Sequence, residues 1–127
     1  MKLKTHQFGE VEFSEDIIIS FNDGILGFEE YTKYIVITEE DGIFYWLTCI
    51  NEPALVFPLF PISLLKDDYP KEENFEAFGI VKLDKEPGNI SINLRAPIYL
   101  DQEKKEGFQK IIDNESFPID YKLFVEN

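Results

Sequence analysis

Hydrophobic and polar residues alternate along most of this chain with a period of two residues. Such alternation is typical of β-strands, because successive side chains of a strand point to opposite faces of the sheet. Runs that alternate in this way, or that are rich in β-branched and aromatic residues, lie at 10–21, 34–38, 43–50, 54–60, 78–83, 90–94, 107–112 and 121–125. The pattern predicts a chain built mainly of short strands, two of them within 10–21.

Turn-forming residues separate these runs. Residues 39–42 end in Asp-Gly, which favours a tight hairpin, and residues 84–89 include a Pro-Gly pair that can set the dihedral angles of a turn. Short strands with turns between them indicate an all-β, mainly antiparallel fold. We therefore predict a small β-barrel-like single domain over residues 1–127.

Helical pattern is confined to two places. Residues 61–69 begin with Pro61, which suits a first helical position, and residues 101–109 are polar enough for a short surface turn. At most one or two short helical turns are expected.

Pro97 lies inside the strand-like segment 93–100. Proline has no N–H to donate to a neighbouring strand, so it is found at sheet edges, at bulges or where a strand changes partner. We predict that the chain bends at Pro97 from one part of the sheet to the next. Pro58, within 54–60, has the same interpretation.

The chain is strongly acidic. Its 127 residues include 12 basic and 25 acidic side chains, for a formal net charge of −13. This charge repels nucleic acid and anionic lipid and favours encounter with basic protein partners, although many acidic domains carry such charge only for solubility. Neither direct nucleic-acid binding nor membrane binding is expected.

Catalytic and metal-binding residue types are scarce. The single histidine, His6, and the single cysteine, Cys49, cannot supply a zinc site built from nitrogen and sulfur ligands, and no intramolecular disulfide is possible. Glycine-rich phosphate loops are absent from the sequence. The first residues lack the apolar core of a signal peptide, which indicates a cytoplasmic protein. These features favour a binding protein without a cofactor over an enzyme.

Four ordered segments are similar to one known family, the bacterial flagellar assembly factor FliW. They lie at 8–13, 18–36, 44–70 and 92–112 and together span nearly the whole chain. The most specific blocks are F-x-x-G-I-x-G-F at 21–28 and N-L-x-A-P-I at 93–98, the second followed by G-x-Q at 107–109. Leucine stands at position 26, where the family usually has proline, and the segment between Tyr69 and Phe78 looks shortened.

The resemblance implies a cytoplasmic, β-barrel-like protein that is not an enzyme and is monomeric when free. Members of the family bind newly made flagellin and also sequester the dimeric translational regulator CsrA, which derepresses translation of the flagellin mRNA. Flagellin and CsrA compete for the protein, so export of flagellin frees it to capture CsrA.

Two groups of residues are candidates for these contacts. An acidic rim facing CsrA is predicted from Asp67, Asp68, Tyr69, Glu72 and Glu73. The strand 93–99 is the second candidate: Arg95 and Tyr99 are expected to be exposed on it, and a bend or free edge beside Pro97 would offer a docking site for flagellin's amphipathic ends. An ordinary solvated loop remains an alternative for the acidic rim.

Two other functions remain open at this point. One is an acidic β-barrel that binds a small ligand or acts as an enzyme unrelated to flagella, which a ligand copurifying in an apolar pocket would indicate. The other is a self-assembling structural protein, which light scattering would reveal as a polymer.

Overall fold

The computed structural model describes residues 1–124, so Val125, the last residue of the predicted strand 121–125, lies outside the described residues. Ten strands follow one another: β1 (Lys2–Thr5), β2 (Gly9–Glu12), β3 (Ile19–Ser20), β4 (Lys33–Thr38), β5 (Tyr45–Cys49), β6 (Val56–Pro61), β7 (Glu76–Lys82), β8 (Ser91–Asp101), β9 (Glu106–Gln109) and β10 (Tyr121–Lys122). Single turns of 3-10 helix lie at Glu15–Ile17, Ile62–Leu64 and Pro87–Asn89.

Seven of the strands close into a barrel. Strands β8, β7, β6, β5, β4, β3 and β9 are paired in that order, and β9 pairs in turn with β8 to complete the ring. All these pairings are antiparallel except the short parallel contact of β3 with β9. The predicted all-β, mainly antiparallel, barrel-like fold is confirmed.

Three strands lie outside the ring. Strands β1 and β2 form a separate hairpin, and β10 pairs with the beginning of β8. The hairpin packs Leu3 and Phe13 against Ile35 of the barrel. Within residues 1–124, no helix is long and apolar enough to cross a membrane.

The largest apolar cluster fills the barrel. Its buried side chains come from six of the seven barrel strands and from the turn after β3, namely Ile19, Phe21, Ile25, Tyr34, Leu47, Cys49, Leu59, Phe78, Ile98 and Leu100. Burial raises the pKa of the Cys49 thiol, which therefore stays protonated at neutral pH. A second cluster, on the opposite face of β7 and β8, contains Ile62, Tyr69, Val81, Ile92, Leu94 and Phe117.

Most predicted elements are present at the expected places. The turn at 39–42 closes with the Gly42 N–H donating to the Glu39 carbonyl at 3.1 Å. Pro58 pairs with β5 alone, since β6 meets β7 only from Leu59 onward, as expected for a proline at an edge-like position. The sequence pattern did not predict β1.

Residues 102–105 form the expected surface turn, but this turn is not helical. Residues 106–109 form β9, because this segment closes the barrel by pairing with both β3 and β8. Its pattern is short and polar, so the pairing, not local preference, decides its conformation. The overlapping strand prediction at 107–112 is right for its first half.

Candidate partner-binding site

Pro97 lies in a wide bulge of β8. Ile80 of β7 is opposite Asn93, and Phe78 is opposite Ile98, so the single residue Gly79 faces four residues, 94–97. We call residues 94–97 the β8 bulge. Before it β8 pairs with β10, and after it with β9, which confirms the predicted bend and change of partner.

The β8 bulge also reverses the faces of the strand. Ile92 and Leu94 belong to the second apolar cluster, whereas Ile98 and Leu100 lie inside the barrel. All four occupy even positions and would share one face of a regular strand. The bulge shifts the register by an odd number of residues and thereby lets one strand contribute to both clusters.

Every backbone N–H of the β8 bulge is accounted for. The Asn93 side-chain oxygen accepts hydrogen bonds from the N–H groups of Arg95 at 2.9 Å and Ala96 at 3.1 Å. The Leu94 N–H donates to the Pro118 carbonyl at 2.9 Å, and Pro97 has no N–H. A bulge leaves backbone N–H groups without partners on the neighbouring strand, and the N-L-x-A-P block either bonds these donors or removes them.

The four carbonyl oxygens of the β8 bulge are also satisfied from outside it. The donors are the Tyr69 hydroxyl to Leu94, the Ile112 N–H to Arg95 at 2.7 Å, the Gln109 side-chain amide to Ala96 at 3.2 Å and the Lys110 N–H to Pro97 at 3.1 Å. Within residues 1–124, no strand edge is free beside Pro97, so of the expected bend and free edge only the bend is present. The chain segment after β9 runs along the bulge and occupies that edge. Partner docking at this bend stays a prediction.

The predicted exposure of this strand is also incorrect. Tyr99 is fully buried, with its ring stacked on Phe108 at 5.1 Å between centroids and its hydroxyl donating to the Pro70 carbonyl at 2.9 Å. Pro97 is buried as well, and Arg95 is half-buried with its Nε donating to the Phe117 carbonyl at 3.1 Å. Side chains that cover the face of β8 are the reason, because Tyr99 lies opposite Phe108 on β9 and beside Tyr69, Pro70 and Phe75.

The acidic rim is narrower than predicted. We call residues 67–73 the acidic segment. Asp67, Asp68 and Glu73 are exposed on it, but Glu72 is half-buried in an ion pair with Lys110. Tyr69 is buried with its hydroxyl on the β8 bulge, and burial, followed by the influence of Tyr99, raises the pKa of that hydroxyl. The rim that a partner can reach consists of the three exposed carboxylates.

A cleft of about 330 Å³ lies beside the acidic segment. Its apolar wall is formed by Ile62, Tyr69, Pro70, Phe75, Ala77 and Tyr99. Its charged lining residues are two lysines, Lys66 and Lys71, and two carboxylates, Asp67 and Glu76. Asp67, Tyr69 and Tyr99, which come from the two predicted groups, thus line one cleft, but only Asp67 is exposed there while both tyrosines are buried.

Sequence reasoning missed part of this cleft. Phe75 and Ala77 precede and begin β7, and Ile62 opens the 3-10 turn after β6. The short helical turn expected within 61–69 is present as the 3-10 turn Ile62–Leu64. Helical spacing alone does not indicate that Ile62 lines a cleft with Phe75 and Ala77, because these residues come together only in the fold. Within residues 1–124, no cluster of histidine, cysteine and carboxylate side chains is arranged to hold a metal ion.

The two most specific sequence blocks meet in space. Gly107 lies against the ring of Phe21, where a Cβ would come within 2.5 Å of the ring. The Gln109 side-chain oxygen accepts a hydrogen bond from the Leu26 N–H at 2.8 Å, while its amide nitrogen donates to the β8 bulge. Residues 21–28 and 107–109 are therefore coupled through glycine packing and a glutamine bridge.

Comparison with known families decides the identity at this level. The profile of the family described as FliW protein matches residues 2–123. The chain belongs to the FliW family. Among similar proteins, the flagellar assembly factor FliW of Lachnospira eligens is 31% identical over 143 aligned positions, covering 98% of this chain and 95% of that protein. The aligned length exceeds 127 residues, so the alignment contains gaps in this chain.

Two further matches agree with this assignment. The flagellar assembly factor FliW of Caldanaerobacter subterraneus subsp. tengcongensis is 33% identical, covering 99% of this chain and 95% of its own length. A solved structure described as the crystal structure of the flagellar assembly factor FliW superposes with a TM-score of 0.86 at 27% identity, covering 100% of this chain and 99% of the other. The barrel is thus the FliW fold.

Proposed function

We propose that this FliW-family protein binds flagellin in the cytoplasm and also sequesters CsrA, so that translation of flagellin mRNA is derepressed. The observation that carries the proposal is the apolar cleft with the acidic segment at its border. One surface then offers both charge and apolar contact. In this role the protein is a regulatory binding partner without enzymatic activity or cofactor, formed by one domain and monomeric when free.

Charge supports the CsrA contact. A protein that binds RNA presents basic side chains to phosphates, and three exposed carboxylates of the acidic segment are complementary to such a surface. The net charge of −13 adds a long-range attraction that raises the rate of encounter. We expect CsrA binding to weaken as salt concentration rises.

The cleft supports the flagellin contact. Amphipathic segments bind where an apolar groove accepts their nonpolar face, and the half-buried side chains of Pro70, Phe75 and Ala77 line such a groove. Asp67 belongs to both the cleft border and the acidic segment. A flagellin segment in the cleft would therefore occupy space needed by CsrA, which gives competition between the two partners.

Calorimetric titration with CsrA from the same organism tests the proposal. We expect binding that weakens at the higher of two salt concentrations and disappears when flagellin is present in excess. Absence of binding to both proteins would contradict the proposed function.

Charge reversal tests the location. The double variant Asp67→Lys, Asp68→Lys should slow association with CsrA and flatten its salt dependence. The matched control is Glu39→Lys, Glu40→Lys, because it changes the net charge equally on the exposed β4–β5 hairpin. Equal slowing in both variants would mean that net charge matters and that the acidic segment does not contact CsrA.

A small-ligand function is the second candidate, and the same cleft favours it. A volume of about 330 Å³ with a mainly apolar wall falls within the range of small-molecule sites. Native mass spectrometry of the purified protein would detect a bound metabolite. A stoichiometric ligand that Ala77→Trp removes would support this function over the partner switch.

A further inference from the structure

The turn at residues 21–28 holds an exposed leucine on a rigid backbone. The Gly24 N–H donates to the Phe21 carbonyl at 2.9 Å, and the Phe28 N–H to the Ile25 carbonyl at 2.7 Å. Gly24 has φ +69°, and a Cβ there would lie 2.5 Å from the Glu29 Cα, so only glycine fits. With the Gln109 bridge to its N–H, Leu26 has a fixed position at the tip of the turn.

Leu26 and Ile111 form an apolar pair that the fold leaves uncovered. Leu26 is 66% exposed and Ile111 is 56% exposed, and both line a hollow of about 160 Å³ together with Gln109. Asp23 and Glu29 line the same hollow. Neither carboxylate pairs with a cationic side chain within residues 1–124, where the ion pairs are Lys2–Glu10 and Lys110–Glu72.

We propose that this hollow is a docking surface for a protein segment whose apolar side chain is flanked by lysine or arginine. The apolar pair would receive the nonpolar side chain, and Asp23 and Glu29 would face the flanking cations. A preorganised turn binds with little loss of conformational entropy, which favours such use of an exposed leucine.

Charge selects this occupant over the other classes. A second copy of the chain would bring another net charge of −13 to the contact, and a nucleic acid or an anionic membrane would bring phosphates against the same carboxylates. A basic, apolar protein segment is the class that both features of the hollow attract.

This surface is distinct from the cleft and the inference goes beyond the proposed function. The residues that line the hollow and those that line the cleft do not overlap. Gln109 lines the hollow and joins it to the β8 bulge, because its amide nitrogen donates to the Ala96 carbonyl while its oxygen accepts from the Leu26 N–H. The full chain could therefore hold two segments of one partner, or two partners, at once.

Peptide titration followed by amide NMR tests the proposal. The probes are a short helical peptide with leucines on one face and lysines on the other, and its counterpart with glutamates in place of the lysines. We expect the lysine peptide to shift amides in 23–29 and 109–111, and the glutamate peptide to leave them unchanged. Shifts confined to the cleft, or equal binding of the two peptides, would overturn the proposal.

Variants locate the contact. Leu26→Ser and, separately, Ile111→Ser should weaken lysine-peptide binding about tenfold each, because each removes most of a buried aliphatic side chain from the contact. Leu83→Ser is the matched control, since Leu83 is 47% exposed and lies outside the hollow. Unchanged melting temperatures would show that the variants fold, and equal weakening by all three would overturn the proposal.

Self-association is checked on the same proteins. Light scattering of the unmodified chain should show a monomer over the concentration range of the titration. A dimer that Leu26→Ser dissolves would make a second copy the occupant and overturn the inference. The outcome is independent of CsrA and flagellin, so failure here leaves the proposed function to its own test.

Discussion

The β8 bulge and the acidic segment are neighbours in the fold but use their polar groups in opposite ways. In the bulge, every backbone N–H and carbonyl of residues 94–97 has a partner or is eliminated by proline. In the acidic segment, three carboxylates face solvent without an ion pair among the described residues. The N-L-x-A-P block therefore stabilises the fold, whereas the exposed carboxylates of the acidic segment remain accessible to a partner.

In this protein the most specific sequence block and the exposed carboxylates proposed to bind a partner are therefore different residues. A wide bulge inside a closed barrel leaves donors and acceptors that must be satisfied, and few side chains do this as compactly as Asn93 and Pro97. Exposed carboxylates impose no such requirement on their neighbours. Mutations in the two regions should therefore affect stability and binding separately.

The largest expected effect belongs to Asn93→Ala. This change leaves the N–H groups of Arg95 and Ala96 without acceptors in a partly buried site, and should lower the free energy of unfolding by about 2–4 kcal/mol. Urea denaturation measures it. The control Asn89→Ala, at an exposed position, should change stability by less than about 0.5 kcal/mol. Similar losses of stability in the two variants would contradict the role of the Asn93 side chain in stabilising the β8 bulge.

Tyr69→Phe comes next, because Tyr69 joins the two regions. Its hydroxyl is the donor to the Leu94 carbonyl, and its loss should cost about 1–2 kcal/mol and speed amide hydrogen exchange in residues 67–73. Tyr121→Phe is the control, since the Tyr121 hydroxyl makes no hydrogen bond within residues 1–124 and its ring keeps Lys66 at 5.4 Å. Unchanged exchange would show that the acidic segment is held without this bond.

The amino-acid sequence predicts the strands of the fold more accurately than the residues that are exposed at the candidate site. Period-two patterning predicts most strands, since burial of one face is a local property of a strand. Ring closure by β9 and the reversal of faces at the β8 bulge depend on pairings across the chain, which the pattern of 90–100 alone does not reveal. For this reason the even-numbered apolar residues of β8 read as one continuous face.

The local sequence does not predict the burial of Tyr69 and Tyr99 for a similar reason. Tyr69 follows two aspartates and precedes Pro70, which is the composition of a solvated loop. Its hydroxyl bonds a carbonyl 25 residues later, and the hydroxyl of Tyr99 bonds one 29 residues earlier. Such long-range bonds leave no local periodicity, whereas the exposure of Asp67, Asp68 and Glu73 follows from residue type alone.

Tyr34→Phe should have the opposite sign to Tyr69→Phe. The Tyr34 hydroxyl is the buried side-chain polar atom without a hydrogen-bond partner among residues 1–124, so removing it should stabilise the protein by about 1 kcal/mol. Urea denaturation at neutral pH measures this. Destabilisation comparable to that of Tyr69→Phe would contradict the distinction between bonded and unbonded hydroxyls.

The same pair of proteins has a defined pH dependence. Burial raises the pKa of Tyr34 to about 12 from its ordinary value of 10.0, so the folded state favours the neutral phenol. Below pH 10 this tyrosine is neutral in both the folded and the unfolded state. As pH rises from 10 to about 12 it ionises more readily in the unfolded state, so the free energy of unfolding of the unmodified chain falls. Tyr34→Phe should therefore gain stability relative to the unmodified chain over that interval, with the other tyrosines cancelling in the difference.

The smallest expected effect is that of Glu72→Gln, which breaks the ion pair between the acidic segment and Lys110 beside the β8 bulge. Both side chains remain partly in water, so the loss should be below about 0.5 kcal/mol and should shrink as salt is added. Glu10→Gln, which breaks the exposed Lys2–Glu10 pair of the β1–β2 hairpin, is the matched control. Urea denaturation of both variants at two salt concentrations makes the measurement.

A loss above about 1 kcal/mol for Glu72→Gln alone would mean that this ion pair holds the acidic segment against the bulge. The carboxylates near it would then belong to the same rigid hydrogen-bonded unit as residues 94–97, and the separation of a structural motif from a binding surface would fail at this contact.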